Sequence, residues 1–140
     1  MFASNLPDAK VMDGDHRKRL QILVVDDNPD IAESTVLFLS QLGYEADAAL
    51  SGNSALGTAR RRPPQVAFLD ISMPGMNGFE LARKLREMFP DRRLWLIAIT
   101  ARDTDEDCLR CHEAGFDLHF TKPADPSKMA KLLSIIERLV

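Results

Sequence analysis

The sequence has only two cysteines, Cys108 and Cys111, among 140 residues, which excludes the disulfide framework that staples small secreted domains. It has no apolar run long enough for a secretory signal or a membrane span, so we expect no membrane insertion and a cytoplasmic location. It also has no large basic excess, because it contains 18 lysines and arginines and 21 aspartates and glutamates, which give a formal net charge of -3. We therefore expect no direct binding to nucleic acid.

What the chain does have is enough apolar sequence for one core, since 45% of its residues are hydrophobic. Residues 1–19 combine scattered apolar residues with turn-prone patches and a short basic cluster, which predicts a flexible N-terminal extension or linker. From residue 20 to 140, short β-rich apolar runs alternate with longer segments of helical period. That alternation predicts a single α/β domain.

Five strands are predicted, and they span residues 21–25, 45–49, 66–69, 95–100 and 118–121. The runs ILVV, VAFL and LWLIAI are almost continuously apolar, as is typical of parallel strands that helices cover on both faces. We therefore expect these three strands at the centre of the sheet.

Five helices are predicted between and after the strands, from their starting residues and, in three of them, from an apolar stripe. The predicted starting residues are Asn28, Ser51, Asn77, Thr104 and Asp125, and the second helix ends before Pro63-Pro64. The predicted inward stripes are Ile31, Thr35, Phe38, Leu39 and Leu42 in the first helix, Phe79, Leu81, Ala82, Leu85 and Met88 in the third, and Met129, Leu132, Leu133, Ile136 and Leu139 in the last.

Polar side chains stand at the carboxyl ends of the strands, which is where doubly wound sheets bind their ligands. Asp26 and Asp27 follow the first strand, Asp70 the third, Thr100 ends the fourth, and Lys122 follows the fifth. If the first and third strands are neighbours, the three carboxylates repel one another unless a cation neutralises them. Mg²⁺ suits such a site because it prefers oxygen ligands and is often bound together with a phosphate.

This group of residues predicts phosphoryl transfer with Asp70 as the nucleophile. The loop that follows Asp70 contains Pro74 and Gly75 and should leave the carboxylate accessible. Lys122 and Thr100 would supply the positive charge and the hydroxyl that stabilise a transferring phosphoryl group.

Four motifs together resemble the receiver domain of two-component response regulators: VVDDNPD, FLDISMPGMNG, IAIT and FTKP. The resemblance spans residues 21–140. It implies a flavodoxin-like (βα)5 fold, a doubly wound sheet of five parallel strands in the order 2-1-3-4-5. It also implies a phosphorylation-dependent signalling switch in which Asp70 accepts a phosphoryl group from a sensor histidine kinase or a histidine phosphotransfer protein.

The resemblance also implies roles for individual residues. Asp27, Asp70 and the backbone carbonyl of Ser72 would bind Mg²⁺ directly, and Asp26 would act through a bound water. The residues that match Lys122 and Thr100 contact the phosphoryl oxygens.

Two further features follow from the same resemblance. The Lys122-Pro123 peptide bond would be cis. The fourth helix, fifth strand and fifth helix would form the surface for an output partner or a homodimer, although neither the output partner nor the cognate kinase is encoded in a motif.

Three residues depart from the family pattern or lie where it varies. His119 stands where the family usually has a tyrosine or phenylalanine that rotates inward on activation. Its ring either fills the same space or senses pH, because histidine titrates near neutrality. Ser72 and Arg102 lie where family members vary and where side chains tune the lifetime of the acyl phosphate. Arg102 either shields the phosphate or is simply solvated.

The segment Cys108, Cys111, His112 spells C-x-x-C-H, a pattern used for haem attachment and, in its first four residues, for redox chemistry. We interpret it as ordinary helical sequence, because no haem-pocket pattern surrounds it.

Two alternative functions differ in class from a signalling switch. A phosphatase resembling the haloacid dehalogenases also uses aspartate, Mg²⁺ and lysine, but it needs a second aspartate where this chain has Ser72. A receiver-like module that is never phosphorylated would not need the complete set of acidic, hydroxyl and lysine residues. The chain could be a stand-alone regulator or a receiver from a hybrid histidine kinase.

Overall fold

The computed structural model describes residues 20–101 and 104–140. The predicted extension at 1–19 and Arg102, with its two alternative roles, lie outside the described residues. Strands and helices alternate along the chain as β1 (Gln21–Val25), α1 (Pro29–Gln41), β2 (Glu45–Ala49), α2 (Gly52–Arg61), β3 (Val66–Asp70), α3 (Gly78–Met88), β4 (Trp95–Thr100), α4 (Asp105–Ala114), β5 (Leu118–Thr121) and α5 (Pro126–Leu139).

The five strands form one parallel sheet in the order β2-β1-β3-β4-β5, which confirms the predicted topology. The three strands with continuous apolar runs occupy the centre. Every residue of β3 is buried, whereas β5 at the edge buries none completely. The direction of strand order reverses between β1 and β3. This reversal creates the crevice in which ligands of such sheets bind.

Apolar side chains pack against both faces of the sheet. The core on one face joins the sheet to α2, α3 and α4 and includes Leu56, Leu81 and Leu85. The core on the opposite face joins it to α1 and α5 and includes Leu39 and Leu133. Because helices cover both faces, the strands can be apolar along their whole length.

Side-chain caps fix where each helix begins, as the sequence predicts. Asn28, Ser51, Asn77, Thr104 and Asp125 each accept a hydrogen bond from a backbone N–H of the following turn. These bonds satisfy N–H groups that have no partner within the helix.

Three details of the sequence prediction are wrong. β3 includes Asp70, because the N–H of Ile71 still donates to the carbonyl of Ile99 at 3.1 Å and the ladder continues beyond the apolar run. Ile31 and Leu42 of the predicted α1 stripe are 46% and 42% exposed, since α1 buries Ala32 and Leu39 instead. Leu139 is exposed at the end of α5.

Two further observations bear on the sequence predictions. The Lys122-Pro123 bond is cis, as expected. Among the described residues, no helix has the length and apolar character that crossing a bilayer requires.

Candidate functional site

Three carboxylates meet at the carboxyl edge of the sheet. Asp26 and Asp27 directly follow β1, and Asp70 is the last residue of the neighbouring β3. One carboxylate oxygen from each lies within 4.8 Å of the other two. The structure therefore brings together the three acids that the sequence predicts.

Asp26 is held rigidly at the inner side of this cluster. Its N–H donates to the carbonyl of Ala49 at 3.1 Å, and its Oδ1 accepts the N–H of Asn28 at 2.9 Å. Asn28 is also the cap of α1, so the helix start and the acid are fixed by one residue. Asp27, in contrast, is exposed at the mouth of the cluster.

Asp70 is 1% exposed, so the prediction that the following loop leaves its carboxylate accessible is wrong. Its two oxygens have different surroundings. Oδ1 accepts hydrogen bonds from Lys122 Nζ at 2.9 Å and from the N–H of Ser72 at 3.1 Å. Oδ2 is buried and has no hydrogen-bond partner among the described residues. The second oxygen is therefore the one left for a reaction partner or an added ligand.

Burial is the main electrostatic influence on Asp70. Desolvation raises the pKa of its carboxyl above the ordinary value, and the nearby Asp26 charge adds to that effect. The hydrogen bonds and positive charge from Lys122 and the N–H of Ser72 oppose it without cancelling it. Its protein neighbours therefore only partly offset the cost of burying the charge on Asp70.

These features fit a hard divalent cation. Three carboxylates whose ligand oxygens lie within 4.8 Å of one another are a donor set of the kind that Mg²⁺ prefers. A cation here would offset both the repulsion among the acids and the desolvation of Asp70.

Thr100 and Lys122 border the acids on the side of β4 and β5. Thr100 ends β4 and is buried, and its backbone carbonyl accepts the N–H of Lys122 at 2.7 Å. Lys122 follows β5, and its side chain spans β4 to reach Asp70. Both predicted residues therefore lie at the same edge as the acids.

Gly78 is a positioning residue that the sequence analysis missed. A Cβ atom on Gly78 would lie 2.6 Å from the carbonyl oxygen of Asp70 and 2.8 Å from the Cα of Ile71. Only glycine allows the start of α3 to approach the end of β3 this closely. A glycine directly after the predicted cap Asn77 is the signal from which this approach could have been inferred.

His119 lies on β5, paired with Ala98 of β4 and next to Cys108 of α4. Its side chain is half-buried, and its Nε2 is 3.5 Å from Sγ of Cys108. The contact is not predictable from the sequence, in which the two residues lie eleven positions apart on different elements.

A cavity of about 640 Å³ lies between α1 and α5 and opens beside the acids. Its walls are mostly apolar, and Asp26 and Lys122 contribute its polar lining near the site. Ile31, Thr35 and Phe38 of the predicted α1 stripe line this cavity and are therefore not fully packed.

Sequence comparison identifies relatives for most of the chain. Residues 22–134 match the family model described as "Response regulator receiver domain". An uncharacterized 14.6 kDa protein of Leptolyngbya boryana is 35% identical over 115 residues, covering 82% of this chain and 88% of that protein. Hybrid signal transduction histidine kinase L of Dictyostelium discoideum is 38% identical over 124 residues, covering 84% of this chain but 7% of that protein.

The fold has equally clear counterparts among solved structures. A CheY-like response regulator receiver domain protein of Methanospirillum hungatei JF-1 superimposes with a TM-score of 0.78 at 28% identity, covering 86% of this chain and 94% of that one. The chain spans about half the length of several other curated relatives, which are named as regulatory proteins. The comparisons give no support to the phosphatase alternative.

Proposed function

The chain belongs to the response regulator receiver domains, which are phosphorylation-dependent signalling modules, and on that premise we propose that Asp70 is the residue that accepts the phosphoryl group. One observation carries the proposal: a buried carboxylate with one oxygen paired to Lys122 and the other without a hydrogen bond among the described residues. An oxygen whose lone pairs are not engaged is the better nucleophile, so we assign the attack to Oδ2.

The transfer forms one bond and breaks one. Asp70 Oδ2 attacks the phosphorus of a phosphohistidine, the O–P bond forms, the P–N bond breaks, and the leaving imidazole takes up a proton. The acyl phosphate that results carries negative charge next to Lys122, whose ammonium group is positioned to pair with the phosphoryl oxygens. Thr100, at the end of β4, would contact those oxygens through its hydroxyl.

We propose Mg²⁺ as the cofactor, held by Asp27, Asp70 and the backbone carbonyl of Ser72, with Asp26 acting through a bound water. When bound, the ion supplies charge neutralisation on the transferring phosphoryl group. Asp26 supports this site because its fixed, buried carboxylate keeps the local field negative.

The phosphoryl donor that we propose is a sensor histidine kinase or a histidine phosphotransfer protein. One relative is itself named a hybrid histidine kinase, which supports this donor class. We further propose that the surface of α4, β5 and α5 passes the signal to an output partner or a second copy. We also propose a reducing, cytoplasmic location, because Cys108 and Cys111 are thiols that form no disulfide.

The direct test uses acetyl phosphate as a small phosphodonor. The wild-type protein with Mg²⁺ should gain one labile phosphoryl group, detected by intact mass, whereas Asp70→Asn should gain none. Asp47→Asn, at a partly exposed aspartate of the edge strand β2, is the matched control and should react like the wild type. Failure of the wild type to react, or equal reaction of Asp70→Asn, would contradict the assignment.

A further inference from the structure

The two cysteines of α4 have no part in the proposed phosphoryl transfer, yet the structure gives them different surroundings. Cys111 is buried in the core beneath α4. Cys108, one turn earlier, is half-buried. The two thiols therefore differ in access although they share one helix.

Cys108 is paired with a base. Its Sγ lies 3.5 Å from Nε2 of His119, a hydrogen-bonding distance for sulfur. When the ring proton resides on Nδ1, Nε2 accepts the proton of the thiol. A cysteine next to a histidine is an arrangement that produces the reactive thiolate.

We propose that Cys108 is a modification site at which a small neutral peroxide, such as hydrogen peroxide, oxidises the thiol to a sulfenic acid with His119 as the base. His119 Nε2 first takes the proton from Sγ. The thiolate attacks one peroxide oxygen, the S–O bond forms and the O–O bond breaks. The hydroxide that leaves takes a proton from the imidazolium and becomes water, so sulfur is oxidised by two electrons and the peroxide is reduced.

The charges around Cys108 favour a small neutral reagent. The first turn of α4 carries Asp105, Glu106 and Asp107, which repel anionic reagents such as glutathione disulfide. Arg110 is the one lysine or arginine of α4, and its guanidinium lies 4.3 Å from the ring centroid of Phe79. The half-buried position of Cys108 also restricts access by larger molecules.

Cys111 provides an internal comparison. Burial raises the pKa of its thiol, and the charges of Cys108 and Asp107 add to the effect while that of Arg110 opposes it. A buried thiol that keeps its proton reacts slowly with peroxides. Oxidation at Cys108 alone is therefore the expected pattern.

The experiment treats the full chain with hydrogen peroxide, traps sulfenic acid with a 1,3-diketone reagent and locates the adduct by peptide mass spectrometry. The adduct should form on Cys108, Cys111→Ser should react at the wild-type rate, and Cys108→Ser should give no adduct. His119→Phe and His119→Gln should both react about fivefold or more slowly, because an unassisted thiol is only a few per cent thiolate at neutral pH.

Circular dichroism should first establish that each variant is folded. An adduct on Cys111 in the wild type, no adduct on Cys108, or wild-type rates in both His119 variants would overturn the proposal. A slow His119→Phe with a wild-type His119→Gln would also overturn it, because glutamine keeps the polar contact but is not a base.

Discussion

Lys122 Nζ and Asp70 Oδ1 lie 2.9 Å apart and join the end of the edge strand β5 to the end of the central strand β3 across β4. The two partners are anchored differently, since the Asp70 side chain is 2% exposed and that of Lys122 is 32% exposed. The carboxylate is therefore fixed while the ammonium group has room to move. An incoming phosphoryl group would meet a cation that can turn from the acid toward it.

Removing that cation should slow phosphorylation. In Lys122→Gln, Asp70 loses the hydrogen bond and positive charge that oppose its desolvation, so the pKa of the carboxyl should rise further. We expect a slower reaction with acetyl phosphate at neutral pH and a rate profile shifted to higher pH. Lys128→Gln, at an exposed position of α5, should leave the profile unchanged. A normal profile in Lys122→Gln would contradict the role given to this ion pair.

Asp70 should reduce the stability of the metal-free fold. Because its pKa is raised on folding, the folded state holds the proton to higher pH than the unfolded state. The free energy of unfolding should fall as pH rises from the ordinary value of 3.8 through the raised pKa. Above that range, Asp70→Asn should be more stable than the wild type in EDTA, measured by urea unfolding. Equal stability of the two proteins near neutral pH would contradict this account.

The helix cap Asp125 should show the opposite pH dependence. Hydrogen bonds from the backbone and side chain of Ser127 lower the pKa of its carboxyl. Its contribution is present above the ordinary aspartate pKa and is lost as pH falls through the lowered value. Comparing Asp125→Ala with the wild type by urea unfolding across acidic pH should show a difference that disappears at the lowest pH values. A difference that persists there would mean that the cap acts without its charge.

Mg²⁺ should stabilise the folded protein through Asp27 and Asp70. At about ten times the dissociation constant, binding to the folded state alone adds about 1.4 kcal/mol. Asp27→Asn should weaken this effect, and Asp70→Asn should abolish it, as measured by thermal unfolding with increasing Mg²⁺. Glu33→Gln, at an exposed acid of α1, is the control for a general effect of surface charge. Equal stabilisation of all four proteins would argue against a metal at this cluster.

Gly78 should tolerate no side chain. In Gly78→Ala the Cβ would meet backbone atoms of Asp70 and Ile71 at 2.6 and 2.8 Å, which cannot shift without moving the acceptor. We expect a loss of about 1–3 kcal/mol in the free energy of unfolding together with slower phosphorylation. Gly57→Ala is the matched control within α2, where the new Cβ meets only the flexible end of Arg61 at 3.7 Å. It should gain about 0.5–1 kcal/mol from helix propensity.

The sequence predicts the sheet well, because the short apolar runs and the segments of helical period directly reflect which residues are buried. The end of β3 is an exception, since aspartate is a poor strand residue and the apolar run stops at Leu69. Backbone pairing nevertheless continues, with Asp70 beside Ile99. Main-chain hydrogen bonding is thus decided by the neighbouring strand and not by the side chain.

The packing of α1 is predicted less well, for a different reason. The apolar stripe predicts which face of α1 turns inward. It does not predict how completely α5 fills the space opposite that face. Ile31 and Phe38 line a cavity shared with Met129, whereas the small Ala32 is fully buried. Similarly, the contact between Cys108 and His119 depends on how α4 packs against β5, which spacing alone does not determine.

The different surroundings of β3 and β5 imply different rates of amide hydrogen exchange. β3 is buried along its whole length and paired on both sides, so its amides should exchange only when the domain unfolds globally. β5 has four residues, both ends exposed, and should open in smaller local events. Each such opening would withdraw Lys122 while Asp26 and Asp70 stay in place. Asp70 and Lys122 therefore belong to parts of the sheet that should open at different rates.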